Sequence, residues 1–101
     1  MTTGNGEPSY FLSISGALRA HIRELAAEAK ARGIAVNLRN SLVEILRRLE
    51  KDPNEFGEPS HGMPNSPLKV RRGALAPLHV RYAVHEEKRT VILLNIRMLA
   101  F

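Results

Sequence analysis

The stretch from Leu78 to Ile96, LHVRYAVHEEKRTVILLNI, restricts the fold more than any other part of the chain. Two strand-like runs flank a charged tetrapeptide, Glu86-Glu87-Lys88-Arg89. In the first run Leu78, Val80, Tyr82 and Val84 alternate with His79, Arg81, Ala83 and His85. A period of two puts the first set on one face of a strand and the second set on the other. The second run, Val91 to Ile96, barely alternates, which is the pattern of a strand covered on both faces inside a sheet. The two runs predict a β-hairpin with one apolar face and one face of histidine and arginine. That polar face is where function is expected.

Charge sharpens the expectation once it is located. Up to Pro67 eight basic and eight acidic residues cancel. From Lys69 onward stand Lys69, Arg71, Arg72, Arg81, Lys88, Arg89 and Arg97 against Glu86 and Glu87 alone, which accounts for the whole net charge of +5. The excess sits on the segment read as sheet and favours a polyanionic partner. The chain has no cysteine, which excludes a disulfide framework, a thiol nucleophile and a thiolate metal site. No apolar run is long enough to span a bilayer and no leader is visible, so a cytoplasmic protein without a membrane partner is expected. A length of 101 residues with 44% hydrophobic content suits one domain with one modest core.

Residues 1–8 read as a flexible tail and 9–101 as the single domain. Tyr10-Phe11-Leu12-Ser13-Ile14 is a short strand candidate. Ser15 stands where an N-cap belongs, and a first helix is predicted from Gly16 to Arg32. In it Leu18, Ile22, Leu25 and Ala29 share a face, Gly33 stops it, and His21 reads as a solvated surface residue. A second helix is predicted from Leu38 to Lys51, capped by Asn37. Its apolar stripe is Leu38, Leu42, Ile45 and Leu49, and Asp52-Pro53 ends it. Such stripes need another layer, and the sheet is the available one.

Pro53 to Pro67 reads as a turn-rich loop, with Phe56 and Met63 tacking it to the core and His61 a solvated loop residue. In Leu68-Lys69-Val70-Arg71 another strand begins, with Lys69 and Arg71 on one side, and Gly73 to Pro77 is the link to the hairpin. The expected fold is α+β: an N-terminal strand, a helical hairpin, then a three-stranded antiparallel sheet, with the helices on one sheet face.

These pieces in this order resemble the RelE/ParE superfamily of toxins from bacterial type II toxin–antitoxin modules. The resemblance rests on the leading strand, the helical hairpin closing on Leu49-Glu50-Lys51-Asp52-Pro53 and the Gly62-Met63-Pro64 loop. It continues through Leu68-Lys69-Val70-Arg71, Val80-Arg81-Tyr82-Ala83-Val84 and Val91-Ile92-Leu93-Leu94, so it covers Tyr10 to Phe101. It implies one of two activities: cleavage of messenger RNA at the ribosome without a metal or cofactor, or inhibition of DNA gyrase. It also implies a cognate antitoxin as partner.

Carried over by position, Lys69 and Arg71 match basic residues on the first strand of the toxins' active face, and Arg72 adjoins them as a further phosphate-binding candidate. Arg97 resembles the arginine of the last strand. His79 stands where the family usually has an arginine, and Arg81 lies two residues on, on the same face. The tyrosine that RelE-like nucleases tend to carry near the C-terminus is either replaced by Phe101 or missing, which weakens the nuclease reading. Metal-free RNA cleavage needs a proton acceptor for the 2′-hydroxyl and cationic donors for the phosphorane. His79, Arg81 and Arg97 are the catalytic candidates, with Lys69, Arg71 and Arg72 holding phosphate. A metal shared by His79 and His85 is a poor reading, since six strand residues separate them by about 20 Å. Tyr82 belongs to the apolar face. The different class to weigh is a non-catalytic interaction domain that keeps the fold. All of this requires the cations to converge on one surface, with the helices behind it.

Overall fold

The computed structural model describes residues 9–60 and 65–99; the expected tail, His61, Met63 and Phe101 lie outside the described residues. The chain order is β1 (Phe11–Ser13), α1 (Gly16–Ala31), α2 (Ala35–Lys51), α3 (Pro53–Phe56), β2 (Glu58–Pro59), β3 (Leu68–Leu75), β4 (Leu78–His85) and β5 (Thr90–Met98). One five-stranded sheet runs β1-β5-β4-β3-β2, with β1 parallel to β5 and every other pair antiparallel. The fold is the expected α+β arrangement with two additions inside the supposed loop, α3 and β2. The third strand is also longer than expected, running through Gly73 to Leu75, so that only Ala76-Pro77 turns the chain.

The helices start and stop for local reasons. Ser15 Oγ accepts from the Leu18 N–H at 3.1 Å and caps α1. At the other end Gly33 takes φ 75°, a conformation glycine tolerates best. There Gly33 N–H bonds the Lys30 carbonyl at 3.2 Å and Ile34 N–H bonds the Ala29 carbonyl at 2.9 Å, which is a Schellman closure. Ile34 then packs against the core and leads straight into α2, whose first turn closes through Leu38 N–H to the Ile34 carbonyl at 3.0 Å. Asn37 is therefore inside the first turn rather than the cap. Asp52-Pro53 ends α2 as expected, and Pro53 opens the single turn of α3.

Both helices cover one face of the sheet. Leu25, Ala29, Leu38, Ile45 and Leu49 join Leu78, Val80, Tyr82, Val84, Val91, Leu93 and Ile96 in one core. Ile45 and Leu49 are fully buried, each contributing about 1.5–3 kcal/mol of hydrophobic stabilisation. His21, read as solvated, instead lies 2.9 Å from the Ile96 carbonyl through Nε2 and ties α1 to β5. The Tyr82 hydroxyl donates to the Pro53 carbonyl at 2.6 Å, so burial costs it no unpaired polar group.

The weak alternation of β5 has a different cause from the one expected. Tyr82 pairs with Leu93 but Arg81 pairs with Asn95, so Leu94 is an extra residue absorbed in a β-bulge. Val91 and Leu93 point into the core before the bulge, and Ile96 and Met98 after it. Leu94 is 43% exposed. The strand is central, between β1 and β4, but it is not covered on both faces.

Candidate anion-binding face

The face of the sheet turned away from the helices is set by the pairing register. Residues directly opposite one another in a ladder share a face. Across β3, β4 and β5 the outward rows are therefore Ala74, His79 and Arg97; then Arg72, Arg81 and Asn95; then Val70, Ala83 and Ile92. Three guanidinium groups and one imidazole occupy the end of this face beside the Ala76-Pro77 turn. Arg72, Arg81, Asn95 and Arg97 are all exposed, and His79 is half-buried among them. Beyond them the face becomes apolar, with Val70 and Ile92 half-buried, and with Phe11, whose partner is Thr90, 70% exposed.

Arg97 reaches this face because of the bulge. In an unbroken strand it would share parity with Val91 and Leu93 and point at the helices. The extra residue at Leu94 shifts the phase and turns both Asn95 and Arg97 outward.

Lys69 and Arg71 do not join the other cations. Lys69 lies opposite Val84 and Arg71 opposite Tyr82, both core-facing positions, so these two basic side chains belong to the helix side of the sheet. Arg71 is held there: its Nη2 donates to the Asn54 carbonyl at 2.8 Å and to the Gly57 carbonyl. It fastens α3 and the following turn to the sheet. Among the buried side-chain polar atoms of the described residues, its Nε alone has no partner. The expected convergence of Lys69, Arg71, Arg81 and Arg97 is thus corrected to Arg72, Arg81 and Arg97. The reason is plain in the register: Arg71 and Arg72 are neighbours, and neighbours on a strand face opposite ways.

His79 is electrostatically distinct. Its pKa is lowered, first by partial burial and then by the nearby positive charges of Arg97 and Arg72. It is a neutral imidazole at neutral pH and retains a nitrogen able to accept a proton. A neutral base ringed by fixed cations can take a proton from a hydroxyl and let the cations meet the negative charge that results. His85, by contrast, accepts the Lys88 N–H at 3.3 Å through Nδ1, a turn-stabilising role at the far end of the same strand. Among the described residues no group of three or more metal-ligating side chains is arranged to hold a metal ion, and no helix is long and apolar enough to cross a membrane.

Two features of the face escaped sequence reasoning. Asn95 is a polar residue interrupting an apolar run, and that interruption is the trace of the bulge. Glu58, opposite Arg72, borders the face from a segment read as loop, and nothing in its spacing announces α3 or β2; Phe56 packs on the helix side against Tyr82, as expected of a residue tacking that segment to the core.

No family profile and no curated protein matches the chain. Among solved structures, a chain of the archaeal RelE–RelB complex from Pyrococcus horikoshii OT3 superposes with a TM-score of 0.62 at 18% sequence identity, over 89% of this chain and 94% of that one. With its helical hairpin on one side of a mixed five-stranded sheet, this chain has a RelE-like fold.

Proposed function

We propose that this chain is the toxin of a toxin–antitoxin pair and that its open sheet face binds and cleaves RNA. The observation that carries the reading is the placement of the exposed Arg72, Arg81 and Arg97 around a neutral His79 on the sheet face turned away from the helices. His79 accepts the proton of a ribose 2′-hydroxyl. The 2′-oxygen attacks the adjacent phosphorus, the bond to the 5′-oxygen breaks, and a 2′,3′-cyclic phosphate forms. Arg81 and Arg97 meet the charge on the phosphorane oxygens. Arginine holds its protons too tightly to act as an acid, so the leaving 5′-oxygen takes its proton from water. Transcripts in the ribosomal decoding site are the substrate.

The partner follows from the same face. One end is cationic and the other exposes Phe11, Ile92 and Val70. An antitoxin segment with acidic residues beside an apolar stripe complements both ends at once. The solved chain with this fold comes from an archaeal RelE–RelB complex, which supports a proteinaceous partner.

The decisive test is incubation of the purified protein with translating ribosomes, followed by mapping of transcript ends. Cleavage with 2′,3′-cyclic phosphate termini, lost in His79→Gln and Arg81→Ala, is the expected result. Growth arrest on expression with intact transcripts and impaired DNA supercoiling would reject the nuclease and favour a gyrase target. Normal growth under strong induction would make the chain a non-catalytic interaction domain.

A further inference from the structure

The bulge that turns Arg97 onto the open face also lies where β5 loses a strand neighbour. β1 pairs with Thr90, Val91 and Ile92 and stops at Ser13. Among the described residues, no strand lies against β5 on that side from Leu94 to Met98. Backbone polar groups along a strand alternate in direction. Phe11 N–H bonds the Arg89 carbonyl at 2.7 Å, so Arg89, Val91 and Leu93 turn their polar groups toward β1. The bulge absorbs Leu94 and shifts this phase by one residue. Beyond it Ile96 faces the unpaired edge, while Asn95 and Arg97 face β4.

His21 meets that edge from α1. Its Nε2 lies 2.9 Å from the Ile96 carbonyl oxygen. A carbonyl only accepts, so Nε2 carries the hydrogen and donates it. The Ile96 carbonyl and the Arg97 N–H belong to one peptide group and point opposite ways, the second toward β4. The same alternation fixes what the N–H meets there. Ser60 N–H bonds the Val70 carbonyl at 2.9 Å, which turns Val70 and Arg72 toward β2 and leaves Arg71 and Gly73 facing β4. Their partners Tyr82 and Val80 face back toward β3, so His79 and Arg81 face β5. His79 is paired with Arg97, and the Arg97 N–H therefore donates to the His79 carbonyl. A continuous chain of hydrogen bonds runs from the His21 ring, through the Ile96–Arg97 peptide group, to the backbone of His79. Hydrogen bonds in series polarise and strengthen one another.

We propose that His21 is a positioning residue for the open face: from the helix side it fixes the strand segment that carries Arg97 and holds it against His79. The inference rests on the anion-binding reading of that face and extends it to what keeps the face in shape. With no strand alongside, the end of β5 after the bulge depends on this imidazole for its outer edge. The next anchor along the chain is the Leu99 N–H on the Pro77 carbonyl at 2.7 Å, and it lies on the β4 side. Strand ends with few ties open locally at low cost, and here such opening would separate Arg97 from His79.

The test is NMR on the 15N-labelled full chain and two variants, with inorganic phosphate as the anion. His21→Leu keeps apolar bulk and loses the donor. His21→Gln places an amide N–H close to the position of Nε2. In His21→Leu the Arg97 amide proton is expected to move upfield, its exchange with solvent to quicken, and the affinity for phosphate to fall about fivefold, the scale of one hydrogen bond. His21→Gln is expected to restore all three to the values of the unaltered protein. A lower melting temperature in His21→Leu, with the Arg97 amide and the phosphate affinity unchanged, would overturn the inference and leave His21 a merely structural tie. Equal losses in both variants would overturn it as well. Failure of the unaltered protein to bind phosphate would overturn the anion face, while the Arg97 amide in the two variants would still support or sink the tie.

Discussion

At the scale of single residues, Arg71 and Arg72 carry the clearest lesson. They have the same side chain, adjacent positions and opposite duties. Arg71 holds the carbonyls of Asn54 and Gly57 on the helix side, whereas Arg72 pairs with Arg81 across the open face. Arg72→Ala or Arg81→Ala is expected to weaken RNA binding and to reduce the log–log salt slope by about 0.7 for each phosphate no longer neutralised, as fluorescence anisotropy over a salt series would show. Arg71→Ala is expected to act on stability instead. His79 supplies a pH test. Its folded pKa lies below the ordinary histidine value, so the unfolded chain binds more protons in that window. Its contribution to stability is complete above about pH 6.5 and is lost as pH falls through the folded value. Denaturant melts between pH 7.5 and pH 5 are expected to show declining stability, with a shallower decline in His79→Gln. Cleavage is expected to fall over the same acidic window, because the protonated ring has no site to accept a proton.

At the scale of elements, the bulge in β5 decides the composition of the face. It absorbs Leu94 and lets Asn95 and Arg97 point outward while Ile96 still points inward. Deleting Leu94 leaves Leu93, Asn95, Ile96 and Arg97 in the phase an unbroken strand requires. The shortened protein is expected to fold cooperatively by circular dichroism and to keep its RNA affinity. Loss of affinity with a retained fold would show that the local twist of the bulge, and not only its phase, positions Arg97. The packing of α2 is less forgiving. Ile45 has no solvent exposure, and Ile45→Ala is expected to cost about 2–5 kcal/mol in urea melts, because the cavity cannot close against a rigid sheet.

At the scale of the whole molecule, the helices and the Arg72, Arg81 and Arg97 cluster occupy opposite sides of one sheet. Stability and function are therefore largely separable: changes on the helix side should move the melting temperature, and changes on the open side should move anion affinity. The N-terminal segment is tied into the same body. The Tyr10 hydroxyl donates to Glu86, the Arg89 guanidinium lies 4.2 Å from the Tyr10 ring centroid, and Asn54 Nδ2 donates to Glu86 at 2.9 Å. This network joins β1, the β4–β5 turn and α3. Co-expression with an antitoxin should protect the open face first. Amide exchange in the complex is expected to slow at Arg81, Asn95 and Arg97 more than along α1, and uniform slowing would argue against that docking.

Periodicity in the chain was enough to establish both helices, the strand pair around the Glu86–Arg89 turn, the core stripe from Leu38 to Leu49 and the burial of Tyr82, because each depends on a pattern repeated at short spacing. Ser15 and Gly33 were equally readable, since capping and positive φ are local requirements. Which cations share a surface was not readable. That depended on the register of β3 against β4 and on a one-residue bulge in β5, both of which are set by pairing between distant segments. A shift of one position in either would exchange the two faces of a strand, so only the folded sheet could separate Arg71 from Arg72 and bring Arg97 beside His79.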